Sequence, residues 1–144
     1  MKTHRGDGAP LPDRARELRA ELARKIALFI GSAENRATEI PGLTLRRRIT
    51  PTAPCPATYE PSVTVIAQGR KRVELGRNVF IYDASRFLLT SVDLPVVSRV
   101  IEASDKAPCL AMSLKLEMPV VRELLGREEM QVAEAVRQPW HGHR

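Results

Sequence analysis

Residues 61–95 read PSVTVIAQGRKRVELGRNVFIYDASRFLLTSVDLP, and this stretch decides the fold. Four short runs of β-forming residues follow one another in it: Ser62–Ala67, Lys71–Leu75, Val79–Tyr82 and Phe87–Val92. Gln68-Gly69-Arg70, Gly76-Arg77-Asn78, Asp83-Ala84-Ser85 and Asp93-Leu94-Pro95 separate them or close the series. These are turn residues: Gly and Asn tolerate positive φ, and Asp and Ser bond back to their own backbone. Two further runs, Val96–Ala103 and Cys109–Leu116, complete the pattern. Strand starts this close together leave no room for crossover helices, so the sheet is antiparallel. An antiparallel sheet of this size buries its apolar face by closing or stacking, which predicts a small barrel or jelly roll. Ile66, Val73 and Leu88 stand in the most β-rich part and are expected in the core.

Outward from that stretch, Leu43–Ile49 alternates as Leu-Thr-Leu-Arg-Arg-Arg-Ile and reads as a first strand. Its run Arg46-Arg47-Arg48 could bind phosphate, but such a run more often marks an edge protected by charge. Four prolines between Thr50 and Pro61 predict an extended surface crossing. Before it, Asp13 is placed to cap a helix whose stripe is Ala15, Leu18, Leu22, Ile26, Phe29 and Ile30, with Gly31 as its stop. After the sheet, Pro119 and Gly126 bracket a short helix carrying Val120, Val121, Leu124 and Leu125, and 128–136 has the spacing of a second. Residues 1–12 and 137–144 are expected to be disordered, leaving one domain at 13–136 with its barrel core at about 43–117.

The chain has 144 residues and a net charge of +6, unevenly spread: +5 over residues 1–58, +1 over 59–117 and zero over 118–144. The barrel therefore has no strongly basic face, and six aromatic residues are too few for a single-strand stacking platform. No apolar run reaches a membrane span, and the N-terminus has no secretion signal, so a cytoplasmic address is the default. Cys55 and Cys109 lie in no metal or redox motif.

An enzyme or metal site was tested on residue inventory. The three histidines are His4, His141 and His143, so the barrel has no imidazole to ligate a metal or to activate a nucleophile. No cofactor and no metal are expected. Asp83, Asp93, Glu102 and Glu74 sit at or beside turns, where solvated charge is the ordinary role. A small barrel without catalytic groups is most useful as a container for one compact ligand. Polar groups amid the apolar runs, Tyr82, Ser91, Ser98, Arg99 and Ser113, are the candidate ligand contacts.

The blocks PSVTVIAQGRKRV at 61–73 and TSVDLPV at 90–96, with Leu75-Gly76, Tyr82-Asp83 and Glu102-Ala103-Ser104, carry a resemblance. Over about residues 11–130 the sequence resembles the N-terminal domain of AraC-type transcriptional regulators. The resemblance implies a mainly β, cupin-like antiparallel barrel with one N-terminal helix and one or two short C-terminal helices. It also implies that the domain senses a small-molecule effector and helps the regulator dimerise. Members of that family continue into a domain with two helix-turn-helix units, whereas only 27 residues follow Glu117 here, without net charge. The expectation is a sensor lacking its DNA-reading domain, with no specific DNA binding by this chain alone and no membrane partner. The uncovered apolar stripe predicts a weak homodimer through Val121, Leu124 and Leu125. The alternatives are a cofactor-free enzyme using carboxylates and a degenerate remnant that binds nothing.

Overall fold

The computed structural model describes residues 2–5 and 13–127. The chain forms β1 (Lys2–Arg5), α1 (Asp13–Ile30), β2 (Asn35–Ala37), β3 (Leu43–Arg48), β4 (Cys55–Tyr59), β5 (Ser62–Gln68), β6 (Arg70–Leu75), β7 (Asn78–Tyr82), β8 (Arg86–Thr90), β9 (Leu94–Glu102), β10 (Cys109–Lys115) and α2 (Met118–Arg127). The strands make two sheets, in the orders β1-β8-β5-β10-β3-β2 and β4-β9-β6-β7, and every pairing is antiparallel. This is the mainly β, two-sheet architecture with flanking helices that the turn spacing predicts.

Side-chain alternation along each strand divides the core in two. On β5, Ile66 points between the sheets, where it meets Val73, Tyr82, Leu88, Val96 and Ala111. Its neighbour Ala67 points outward and joins Leu45 and Leu110 beneath Ala23, Ile26 and Ile30 of α1. The helix thus covers the outer wall formed by β3, β5 and β10. Ile66, Val73 and Leu88 are all buried, as expected. The helix is rotated from the expected stripe: Leu18 and Phe29 are exposed, and Ala23 takes their place against the sheet. Small Ala23 lets the helix axis approach the sheet, and Phe29 instead lies under the Arg36 guanidinium, 4.3 Å from ring centre. Gly31 ends the helix in the left-handed conformation at φ 60°, donating to Ala27 O at 3.1 Å.

Four expectations need correction. Lys2–Arg5 pairs with β8, where the sequence suggested disorder; the free edge of β8 supplies the partner that the sequence of β1 does not announce. Cys55–Tyr59 is a strand on the edge of the second sheet, not a surface crossing. Pro56 sits opposite Val97 there, a place where a missing N–H is tolerated. The arginine strand β3 is covered by β2, so it is not an edge over Thr44–Arg46. Gly126 lies within α2 and does not end it. The second C-terminal helix and the tail at 137–144 fall outside the described residues.

The chain passes from the first sheet to the second at Gly69, between β5 and β6. Its φ is 93°, and a Cβ there would stand 2.7 Å from Glu102 O and 2.8 Å from Cys109 Cα. Both obstacles are backbone atoms, so neither can swing aside. Gly69→Ala is expected to lower stability by more than the ~1 kcal/mol of an ordinary strained backbone. Leu88→Ala should cost about 2–5 kcal/mol from lost transfer and cavity, and Leu28→Ala, at 85% exposure, close to nothing. Urea denaturation of the three variants checks this order; a Gly69→Ala protein as stable as wild type would contradict the account of the corner.

Candidate functional site

The inner face of the first sheet carries a polar ladder that the apolar core does not fill. Ser113 on β10 faces Thr44 on β3 and Thr64 on β5 in register, and the Thr64 and Ser113 hydroxyls are 3.2 Å apart. With Arg46, Tyr59, Lys71 and Tyr82 they line a cavity of about 370 Å³ between the sheets. A second chamber of about 290 Å³ lies beside it, lined by Arg48, Cys55, Ser98, Cys109 and Ala111 among others. Arg46 and Lys71 belong to the walls of both. Each chamber has the size of a small-molecule site or a large part of one.

A larger concavity of about 610 Å³ runs outside, between α1 and the turn regions of β5 and β10. It is an open groove whose basic side chains, Arg16 and Arg24, are exposed to water. The chambers between the sheets are the better candidate, because they hold Tyr82, whose buried hydroxyl lacks a partner.

Tyr82 makes this need concrete. It is fully buried, and its hydroxyl has no hydrogen-bond partner. Burial, reinforced by the neighbouring Tyr59 phenol, pushes its pKa well above 10, with Arg46 opposing. The Tyr59 phenol stands close enough to contribute through its field and as a weak hydrogen-bonding neighbour, but outside good hydrogen-bond geometry. Leaving a buried hydroxyl unpaired costs about 1–3 kcal/mol, so a partner in the cavity is worth that much. Lys71 Nζ reaches Tyr59 Oη at 3.5 Å and stands 5.9 Å from the centre of its ring. Thr90, also fully buried, has a second unpaired hydroxyl. Cys109 is buried, and burial pushes its thiol pKa up against the pull of Lys71 and Arg48.

The residues singled out from sequence fall in different places. Tyr82 and Ser113 line the first chamber, and Ser98 the second. Arg99 contributes to the wall of the second chamber, yet it pairs with Arg72 one step from the inward pair Val73–Ser98. Alternation therefore directs its side chain to the other face of the sheet. Ser91 follows β8 and lines neither chamber. Val121, Leu124 and Leu125 lie on α2, away from both. Sequence reasoning missed Thr44, Tyr59, Thr64 and Lys71 as lining residues and took Arg46 and Arg48 for a phosphate contact or a charged edge. The signal for three of them was present: with Leu43 and Leu45 on one face of β3, Thr44, Arg46 and Arg48 share the other. Among the described residues no three His, Cys, Asp or Glu side chains converge as metal ligands.

Residues 39–141 match the family model of the AraC-type transcriptional regulator N-terminus. The chain belongs to that family. The matched span contains every strand that lines the chambers, from β3 to β10. A solved structure of a cupin-2 domain containing protein from Shewanella frigidimarina is similar at 13% identity with a TM-score of 0.46. The similarity covers 67% of this chain and 92% of that one. No curated protein matches the sequence. The AraC-type N-terminus is a regulatory module, and here it takes the form of a two-sheet barrel with a polar interior.

The raised pKa of Tyr82 fixes a sign. The unfolded chain releases the phenolic proton near pH 10 while the folded chain still holds it, so the folded state binds more protons and stability falls as pH rises beyond about 10. Below that pH the contribution is fully present. Tyr82→Phe should flatten this alkaline loss and leave neutral-pH stability unchanged or higher, since the hydroxyl removed is unpaired. Thermal melts of both proteins between pH 8 and 11 check it; parallel curves would contradict the burial of Tyr82.

Proposed function

We propose that this chain is an effector-sensing regulatory domain that binds a small molecule between its two sheets. The observation that carries the reading is the buried, unpartnered Tyr82 hydroxyl at the wall of a cavity lined by Thr44, Thr64 and Ser113. The family supports it, because the matched region is the N-terminus of transcriptional regulators. Such a module acts by changing conformation or association when the ligand arrives, without turnover. Catalysis has little support among the described carboxylates. Burial opposes the charge of Asp83, but the Ser85 hydroxyl and amide with Arg86 and Arg70 keep its pKa below the ordinary value. It is a turn anchor that stays ionised. Glu74 pairs with Arg72 and Glu102 with Arg70, and none of the three lines the interior chambers.

The same reading includes association. On α2, Val120 and Leu124 are 51% and 49% exposed, and Val121 and Leu125 are half-buried. Among the described elements the helix makes no extensive packing contact. A second copy of the chain is the occupant we propose for this face, through a two-fold contact. No helix among the described residues is long and apolar enough to cross a membrane, and the reading needs no membrane partner.

Two measurements test this function. Thermal melting against a panel of small metabolites should reveal a compound that raises the midpoint in proportion to the logarithm of its concentration. Thr64→Leu, which replaces a cavity hydroxyl, should abolish that shift while the protein stays folded; an undiminished shift would move the site out of the interior. Sedimentation between about 1 and 100 μM should reveal a monomer–dimer equilibrium at micromolar dissociation constants. Leu124→Glu should leave only monomer, and a dimer untouched by it would put the interface elsewhere.

A further inference from the structure

The charge distribution inside the barrel narrows the chemistry of the ligand. Arg46, whose side chain is exposed, and Arg48 lie on the face of β3 opposite Ala111 and Cys109 in register, and Lys71 joins them from β6 of the facing sheet. Cations of both sheets thus line one chamber, with the Arg48 guanidinium turned to Glu34 and Asn35 at the strand edge. Nothing of opposite charge meets them there. Arg48 donates to Glu34 O at 2.7 Å, Arg47 O at 2.8 Å and Asn35 Oδ1 at 3.2 Å, all neutral acceptors. Lys71 meets only the Tyr59 phenol, and Arg46 makes no ion pair with any described carboxylate. Glu60, the single carboxylate lining either chamber, sits at the rim and is taken by Lys115 at 3.5 Å.

Resting on the effector-sensing reading, we propose that the ligand is a small organic anion whose carboxylate is held between Arg46 and Lys71. The two chambers meet at this pair, so an anionic group there lets the rest of the molecule extend along the ladder of Thr44, Ser113 and Thr64. Tyr82, kept protonated, donates its unpaired hydrogen to an acceptor oxygen of the ligand. Arg46 offers the fork that a carboxylate fills with two parallel hydrogen bonds. A phosphate would meet the same cations, and the test separates the two.

The experiment uses the whole chain and matched pairs of probes: benzoate with benzamide, 4-hydroxybenzoate with its methyl ester, succinate with succinamide, and inorganic phosphate alone. Calorimetric titration and thermal melting read binding. Alkylation of Cys55, exposed beside the second chamber, reads occupancy by protection. Carboxylates are expected to bind about tenfold or more tightly than their neutral partners, a preference shrinking with added salt. Arg46→Gln and Lys71→Met should each erase that preference while the neutral partners bind as before. Retention of the preference in both variants would overturn the assignment of these cations. Neutral probes binding as well as acids would overturn the anion inference and leave the interior site standing. Phosphate binding with no carboxylate binding would overturn the carboxylate and keep the cationic clamp. No shift from any probe at 10 mM, with metabolites of other classes still stabilising, would overturn the anion alone; no stabiliser of any class would overturn the sensing function with it.

Discussion

The close approach at Gly69 holds the two sheets in the relation on which everything else depends. One residue separates β5 of the first sheet from β6 of the second. At that point the backbone rests against Glu102 at the end of β9 and Cys109 at the start of β10. Strand ends from both sheets therefore converge on a residue with no side chain. The bulge where β5 leaves its register with β10, between Leu110 and Ala111, lies at the same corner, as does the shift between Arg70 and Lys71 against β9. Bulges bend strands and raise their twist, so the corner is where the sheets are brought together. From there they enclose Ile66, Val73, Tyr82 and Leu88.

What lies between the sheets changes character along their length. Near Ile66 and Ala111 the facing side chains are apolar and packed. Two residues further along the same strands come Thr64 and Ser113, and then Ser62 and Lys115. The interior is thus dry on one side and polar on the other, and Tyr82 stands at the junction, its ring in the apolar cluster and its hydroxyl at the cavity wall. This arrangement sacrifices stability locally. A buried hydroxyl without a partner is costly, and a sequence selected only for folding would replace such groups with Phe and Leu. Their presence is the physical reason for assigning a ligand to this space.

Much of the fold was legible because turn chemistry and strand length agree from Ser62 to Leu116, except at Leu94-Pro95, expected in a turn and found opening β9 because β4 pairs with them. Gly69 and Gly76 do adopt positive φ, and Asp83 does bond to the Ser85 amide at 2.8 Å and hydroxyl. Less legible were elements that owe their form to a neighbour. The Cys-Pro-Ala-Thr-Tyr of β4 has no alternation and becomes a strand because β9 offers an edge; β1 does so against β8. The site was half legible. Tyr82, Ser98 and Ser113 interrupt apolar runs and can be picked out on that ground. Arg46 and Arg48 share one face of their strand in the sequence, but a charged face usually meets only water, and it takes the second sheet to make it the wall of a chamber. Arg99 illustrates the converse, since its surroundings look apolar in sequence while register sends it to the outside.

The central claim is that the space between the sheets is where the ligand goes. The chain has two tyrosines, and both line the first chamber. Replacing them with 3-fluorotyrosine gives two fluorine resonances, assigned through Tyr59→Phe and Tyr82→Phe. On titration with a compound that raises the melting midpoint, both resonances should shift and saturate at the same concentration as the thermal effect. A stabilising compound that leaves both resonances unmoved would contradict the claim and place its site on the outer surface.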